Sequence, residues 1–352
     1  MRVLITGASG FLGAALARAH RASGDEVFAL QHASALAPDL AAAVEVVRGD
    51  VMTAEQQTWP AVDVLYHCAA LMADREDAPY AQFHRVNVRG TACLLRASRS
   101  MSVKRFVHVS SAGVLGPTTT AATEADLYGR QLTNYERSKM ESEIVAQQAM
   151  REGLPVTIVR PAQLYGPGMR HVWPRLIGAI RRGRAAILGS GAAKIHFTHV
   201  DDIVQGMRLA ARVPRAVGQI YHLAAAAPVT ARHALESIAD ALEVTAPRTL
   251  PYRPVRVAAA LIERLPRRLR FGPLRMLTVH HVELFARDRV YAIEKARREL
   301  GFDPAVSWDD AIASVVASYL ERDFKPPVAR GSRQWPPASS LQRAGRVDQV
   351  PR

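Results

Sequence analysis

The residues best suited to chemistry stand in Tyr135-Glu136-Arg137-Ser138-Lys139. A tyrosine and a lysine four positions apart share one face of a helix. An ammonium beside a phenol, whose ordinary pKa is ~10, lowers the cost of ionising it. Tyr135 would then serve as a proton donor or acceptor near neutral pH. Taken alone, the spacing is equally that of a surface pair. It gains meaning from Ser110-Ser111 upstream and from the turn Thr6-Gly7-Ala8-Ser9-Gly10-Phe11-Leu12-Gly13.

That turn follows a short apolar run, Arg2-Val3-Leu4-Ile5, and precedes a stretch of good helix formers, Ala14 to His20. A strand, a glycine-rich turn and a helix in this order cradle a pyrophosphate. Gly7 suits the tight turn, Gly10 the close approach of a ligand, and Gly13 the packing of helix on strand. The spacing is Gly-x-x-Gly-x-x-Gly. Further strands are expected at Glu26–Leu30, Val44–Val51, Ala61–Ala70, Lys104–Val109, Leu154–Val159 and Gln219–Ala224, with helices between them. Such alternation predicts an α/β fold, a doubly wound parallel sheet. The second strand runs into Gln31-His32, where NAD-binding folds place a carboxylate for the adenine ribose. Gln31 bonds a hydroxyl without repelling a 2′-phosphate, and His32 helps an anion when protonated. NADP or NAD is therefore expected, with NADP favoured, although no arginine clamp follows directly. Asp50 either accepts from the adenine amine or caps a turn. His67 either serves the site or is a packed core histidine. A helix is expected to open at Val86-Asn87-Val88-Arg89-Gly90-Thr91 and to continue through Leu94, Leu95 and Ala97.

As a set, these motifs resemble an extended short-chain dehydrogenase/reductase of the NAD-dependent epimerase/dehydratase family. They include Gly49-Asp50, His67-Cys68-Ala69-Ala70, Ser110-Ser111-Ala112-Gly113-Val114, Arg160-Pro161-Ala162-Gln163-Leu164-Tyr165-Gly166-Pro167-Gly168 and His199-Val200-Asp201-Asp202. The resemblance covers residues 1 to about 320. It implies catalysis by Ser111, rather than Ser110, with Tyr135 and Lys139. It also implies a cofactor site built from Gly7, Ser9, Gly10, Phe11, Leu12, Gly13, Gln31, His32, Asp50, Val51, Cys68, Ala69, Ala70, Asn87, Tyr135, Lys139, Pro161 and Ala162. The expected division is a dinucleotide-binding core over 1–165, to which a strand near 219–224 returns. A mainly substrate-binding, discontinuous mixed lobe over 166–323 and a disordered tail over 324–352 complete the chain.

Nucleotide-sugar epimerases carry an Arg-Asp pair before the Val-Asp-Asp motif, where this chain has Ile195-His196, with Lys194 adjacent. They carry a second cation about thirteen residues before Lys295-Ala296, where this chain has Val282 between His281 and Glu283. The cations that would clamp a diphosphate are absent from both places. Tyr291-Ala292-Ile293-Glu294-Lys295-Ala296 through Gly301-Phe302-Asp303-Pro304 is similar to 3β-hydroxysteroid dehydrogenase-like and dihydroflavonol reductase-like members. The implied reaction is hydride transfer to or from a secondary alcohol or ketone of an apolar, steroid-, lipid- or flavonoid-like substrate. Alternatives are nucleotide-sugar epimerisation or dehydration and, as a non-enzyme, a dinucleotide-sensing regulator. Tyr135 with Lys139 argues against the last.

Composition sets outer bounds. Hydrophobic content of 49% and charged content of 22% suit a globular protein. Cys68 and Cys93 make no disulfide framework, no metal-ligand spacing is present, and Met1 leads directly into a strand, so a cytoplasmic protein is expected. The formal charge of +14 has a local source, because eight arginines fall between Arg248 and Arg275 against one acidic residue, Glu263. Within that segment, Val255–Leu265 is expected to be a helix. It either packs into the core with a solvated arginine rim or lies as a lid over an apolar substrate and touches anionic lipid. Few aromatics accompany the arginines, so nucleic acid is not expected. A homodimer through helical surfaces near 90–100 and 135–150 is in keeping with the resemblance.

Overall fold

The structure is a computed structural model, and it describes residues 1–72, 78–170, 172–265, 269 and 277–321. The expected tail and most of the arginine-rich stretch after Leu265 lie outside the described residues. The apolar runs become strands β1 (Arg2–Thr6), β2 (Glu26–Gln31), β3 (Glu45–Arg48), β4 (Val64–His67), β5 (Arg105–Val109) and β6 (Val156–Pro161). With a seventh strand, Ile220–Leu223, they form one parallel sheet whose order is the seventh strand, then β6-β5-β4-β1-β2-β3. The chain leaves β1 for β2 on one side and returns to β4 on the other. This reversal opens the crevice at the C-terminal ends of β1 and β4 where such sheets take ligands.

Alternation along the strands divides the core into two layers. Val3, Ile5, Val27, Ala29 and Val107 face the helices Phe11–Ala22 and Val200–Arg212. Leu4, Phe28, Leu65, Phe106 and Ile158 face the helices Gly90–Ser100 and Asn134–Arg151. A third cluster forms the lobe, where Trp173 and Trp308 meet Tyr165 at tilted angles, Phe197 contacts both tryptophans, and the group lies with the helices Ala231–Ala241 and Trp308–Leu320. The Val200–Arg212 and Glu294–Leu300 helices pack on the core layer although they follow lobe segments in sequence. Buried Arg105 fixes the end of the first of these, donating to the carbonyls of Ala210 (3.3 Å) and Val213 (3.1 Å) and to Thr157 Oγ1 (3.0 Å).

Two expectations need correction. The helix expected to open near Asn87 begins earlier, at Tyr80, and passes through a widened π stretch, His84–Arg89, before Gly90–Ser100. The helix expected at Val255–Leu265 spans Tyr252–Arg264, and it is not a core-packing helix, since Ala259 is its one buried residue. The reason is Arg256. Its Nε donates to the carboxylate of buried Glu283 at 2.6 Å, and Tyr252 O–H donates to the same oxygen at 2.9 Å. These polar contacts turn the helix so that Val257 and Leu261, each 56% exposed, face outward with Arg253 and Arg264.

Candidate active site

The glycine turn meets the backbone after β4 directly. Gly7 has φ +74°, and a side chain there would approach Ala69 N and Cys68 C at 2.7 Å. A side chain at Gly13 would reach Gly7 O at 2.4 Å. Both positions therefore require glycine. The Phe11–Ala22 helix starts at Gly10 with no side-chain cap and no acidic residue in its first turn. Its first N–H groups and the positive end of its dipole are thus open to an anion. This cradle fits a dinucleotide pyrophosphate.

The crevice wall is pinned by a chain of hydrogen bonds through His67. Ala69 N–H donates to Thr6 Oγ1 (3.1 Å), and Thr6 O–H donates to His67 Nδ1 (2.8 Å). On the far side His67 Nε2–H donates to Thr91 Oγ1 (2.9 Å), whose O–H donates to Asn87 O (2.6 Å). The direction follows from Thr91, whose proton is committed to a carbonyl. Burial, then Lys139, pushes His67 down to about 3. His67 is a neutral structural residue. Asn87 continues the wall: Oδ1 accepts from Leu71 N (2.6 Å), and Nδ2 donates to Leu71 O (3.0 Å) and Ser138 Oγ (2.8 Å). Its side chain fixes the small-residue loop Cys68-Ala69-Ala70 and the helix bearing Tyr135.

At the outer edge of the crevice, Gln31 ends β2, exposed His32 lies 3.5 Å from Asp50, and Asp50 Oδ1 caps the following turn by accepting from Met52 N (3.0 Å). Asp50 thus caps a turn through one of its two carboxylate oxygens. Val51 is buried against Gly90, where an added side chain would meet it at 2.9 Å. Ser9 and Gly10 are exposed, Phe11 and Leu12 half-buried, and Pro161 and Ala162 buried at the end of β6.

Ser111 caps the turn after β5, its Oγ accepting from Gly113 N at 3.1 Å. The hydroxyl proton stays available to donate. Ser110 cannot take this role, because it is buried and donates to Glu143 Oε2 at 2.5 Å. Lys139 is 4% exposed and donates to Val109 O at 2.6 Å. Its burial outweighs the opposing pull of Glu143 and Cys68 and brings it down to about 8. Tyr135 is half-buried. The expected lowering of its phenol by Lys139 is not what the structure shows. Burial, and then the Glu136 carboxylate, push it up to about 12. The lysine's charge is engaged with the Val109 carbonyl instead.

Sequence reasoning missed the buried ionic layer beneath these residues. Arg160 Nη2 donates to Glu143 Oε1 at 2.6 Å, with both side chains at most 2% exposed. Tyr128 O–H and Gln147 Nε2 donate to the same oxygen. The spacing of Lys139 and Glu143, four residues apart on one helix, was the available signal. The places that lack diphosphate-clamping cations hold buried residues. Ile195 is fully buried, and His196 Nδ1 accepts from Tyr291 N (3.1 Å) while burial pushes that ring down to about 4. Among the described residues no group of His, Cys, Asp and Glu side chains could hold a metal.

Comparison with known proteins agrees with this geometry. Residues 3–224 match the model of the NAD-dependent epimerase/dehydratase family. The chain is 34% identical over 310 residues to the 4-hydroxy-2-methyl-3-oxo-4-farnesyl-3,4-dihydroquinoline-1-oxide ketoreductase of Stigmatella aurantiaca, covering 86% of this chain and 92% of that one. It is 28% identical over 333 residues to the 2-alkyl-3-oxoalkanoate reductase of Stenotrophomonas maltophilia, covering 90% and 99%. Among solved structures, dTDP-glucose 4,6-dehydratase (DesIV) of Streptomyces venezuelae superposes with a TM-score of 0.75 at 27% identity, covering 93% of this chain and 99% of that one.

Proposed function

The chain belongs to the NAD-dependent epimerase/dehydratase family as an extended short-chain dehydrogenase/reductase, and from that premise we propose that it interconverts a ketone and a secondary alcohol on an apolar substrate. It is an NAD(P)-dependent enzyme. When bound, the nicotinamide supplies or takes the hydride. The carrying observation is that Ser111 retains a free hydroxyl proton on the turn after β5, while Tyr135 stands at the start of the helix beside it. Ser111 donates to the carbonyl oxygen and holds it, as an oxyanion-hole donor does. Tyr135 gives that oxygen its proton in reduction and removes it in oxidation. Its phenol, pushed up by burial, is protonated at neutral pH, as the donor in reduction must be. The ammonium of Lys139, held at the base of the site by Val109, lies within the crevice that takes the nicotinamide ribose.

Two further features support an apolar substrate. The relatives named above are, by name, a ketoreductase of a farnesylated dihydroquinoline-1-oxide and a reductase of 2-alkyl-3-oxoalkanoates. The nucleotide-sugar reading lacks its phosphate clamps. Gln31, uncharged at the end of β2, favours NADP over NAD. The outward stripe Val257 and Leu261, flanked by Arg253 and Arg264, supports contact with an anionic lipid surface. No helix of the described residues is long and apolar enough to cross a membrane. Exposed Ile144 on the Asn134–Arg151 helix supports pairing of two copies there.

The test is a substrate panel of ketosteroids, 3-oxo acids and UDP-sugars, assayed with each nicotinamide cofactor. Oxidation or reduction of a ketosteroid or 3-oxo compound is expected. Turnover of UDP-sugars alone would overturn the reading.

A further inference from the structure

Glu143 is fully buried, and the acceptor directions of its carboxylate are all used. Arg160 donates from Nη2 to Oε1 at 2.6 Å and from Nε to both oxygens at 3.1 Å. Ser110 O–H donates to Oε2 at 2.5 Å, and Tyr128 O–H and Gln147 Nε2 donate to Oε1 at 3.0 and 3.1 Å. Stability alone does not account for such a cluster. A buried ion pair can often be replaced by apolar residues of similar volume at no loss. The segments that the cluster collects point to another role.

Three of the donors frame one turn. Ser110 immediately precedes Ser111, and its N–H donates to Val159 O at 2.8 Å. Arg160 is the next residue of β6, so the strand that holds the backbone of Ser110 also supplies the cation. Tyr128 lies beyond the turn. Its neighbour Gly129 donates N–H to Val114 O at 3.1 Å, and Gln131 Nε2 donates to the same oxygen at 2.7 Å. The two backbones come close, since a side chain on Gly129 would reach Leu115 O at 2.0 Å. The turn from Ser111 to Leu115 is thus held at both flanks, and both flanks end on one carboxylate. Lys139, one helical turn before Glu143, takes Val109 O. One helix face therefore bonds Val109 and Ser110 in succession. Glu143 is also the foremost pull that opposes the effect of burial on Lys139.

We propose that Glu143 is a positioning residue for Ser111: by gathering Ser110 ahead of the turn and Tyr128 beyond it, the carboxylate holds the Ser111 hydroxyl where the ketone oxygen will meet it. This role rests on the ketone-reducing reading above, in which Ser111 is the donor to that oxygen. Glu143 lies buried beneath the turn and acts through Ser110.

The experiment is a double-mutant cycle on kcat for reduction of a 3-ketosteroid and of a 3-oxo ester, with cofactor Kd and melting temperature recorded for each protein. Ser110→Ala removes one hydroxyl and leaves the Glu143–Arg160 pair in place. It should lower kcat by about tenfold, short of the ~10²–10³-fold that loss of an oxyanion donor costs. Cofactor Kd should be unchanged. In the Ser111→Ala background the same change should cost less than about twofold, because the hydroxyl it positions is gone. A residue that served stability alone would lower both backgrounds equally. Glu143→Gln, measured per mole of folded protein, should show the same coupling, and if it fails to fold Ser110→Ala decides. Full activity of Ser110→Ala, or an equal loss in both backgrounds, overturns the positioning role alone. If Ser111→Ala keeps full turnover, the reading of Ser111 as carbonyl donor has failed and the positioning role falls with it. If neither ketone is reduced, the reaction reading has failed, and hydrogen exchange at the Gly113 and Val114 amides, which bond Ser111 Oγ and Ser111 O, decides the rest. Exchange quickened by about tenfold in Ser110→Ala upholds the positioning of the turn, and unchanged exchange overturns it.

Discussion

Lys139 Nζ and the carbonyl of Val109 are 2.6 Å apart, and this bond ties the helix bearing Tyr135 to the last residue of β5. Ser111 stands two residues beyond that carbonyl. The bond therefore sets the spacing of the serine turn and the tyrosine, as well as placing a cation at the floor of the crevice.

Replacing Tyr135 with phenylalanine removes the hydroxyl alone. Fold and cofactor affinity should survive, and kcat on any accepted ketone should fall by ~10²–10⁴-fold, the usual contribution of a general acid. Ser111→Ala should cost less, at most roughly 2.7–4 kcal/mol. Steady-state kinetics with either cofactor checks both. Near-full turnover by Tyr135→Phe would place the proton donor elsewhere.

Lys139 gives a pH signature in stability. Its folded value, about 8, lies below the ordinary lysine value of 10.5. Between these limits the unfolded chain binds more protons than the folded one, so stability from this group rises with pH across that window. Relative to Lys139→Met, the wild type should gain up to about 3 kcal/mol between pH 8 and 10.5. Denaturant unfolding of both proteins at several pH values measures the difference, and a constant gap would show that the lysine is not buried as a cation. The same variant should bind cofactor more weakly.

Gln31 predicts the cofactor. NADP should bind at least as well as NAD, and Gln31→Asp should shift preference toward NAD by placing a carboxylate where the 2′-phosphate would lie. Fluorescence titration distinguishes these outcomes, and a tenfold preference of the wild type for NAD contradicts them.

The outward face of the Tyr252–Arg264 helix predicts sedimentation with anionic vesicles at low salt and release at high salt, where charges are screened over ~3 Å instead of ~8 Å. Leu261→Glu, at a side chain 56% exposed, should abolish the association without loss of thermal stability. Absence of binding at low salt removes the lipid contact.

The buried pair Glu143–Arg160 predicts a large stability effect. Glu143→Ala leaves Arg160 uncompensated beneath the site and should cost ~3–5 kcal/mol, measured by chemical denaturation. A loss under 1 kcal/mol would mean that water reaches the pair.

The sequence made the strands, the glycine turn and the Tyr135–Lys139 spacing legible because each is written in neighbouring residues. Gly7 and Gly13 report a local backbone requirement, and β1 to β6 report their apolar runs. What was hidden depends on partners far along the chain. Nothing around Arg256 tells that Glu283 will turn its helix over, and nothing around Arg289 tells that Glu136, 153 residues upstream, will be its ion-pair partner. The lowered phenol expected from Lys139 failed for the same reason, since the lysine's partner is a main-chain carbonyl thirty residues upstream.

The threading of the chain bears on how such enzymes could be recombined. The strand Ile220–Leu223 completes the sheet, the Val200–Arg212 helix is latched by Arg105, and residues 288–292 hydrogen-bond both to the serine-side loop at Thr118 and Ala122 and to Lys194 and His196. Residues 166–321 are therefore not a cassette. A chimera that exchanged residues 166–321 as one block would also import a sheet strand and two core helices shaped for a foreign neighbour. Grafting specificity from a relative calls for several short exchanges, with 196–223 and 288–300 left to the recipient.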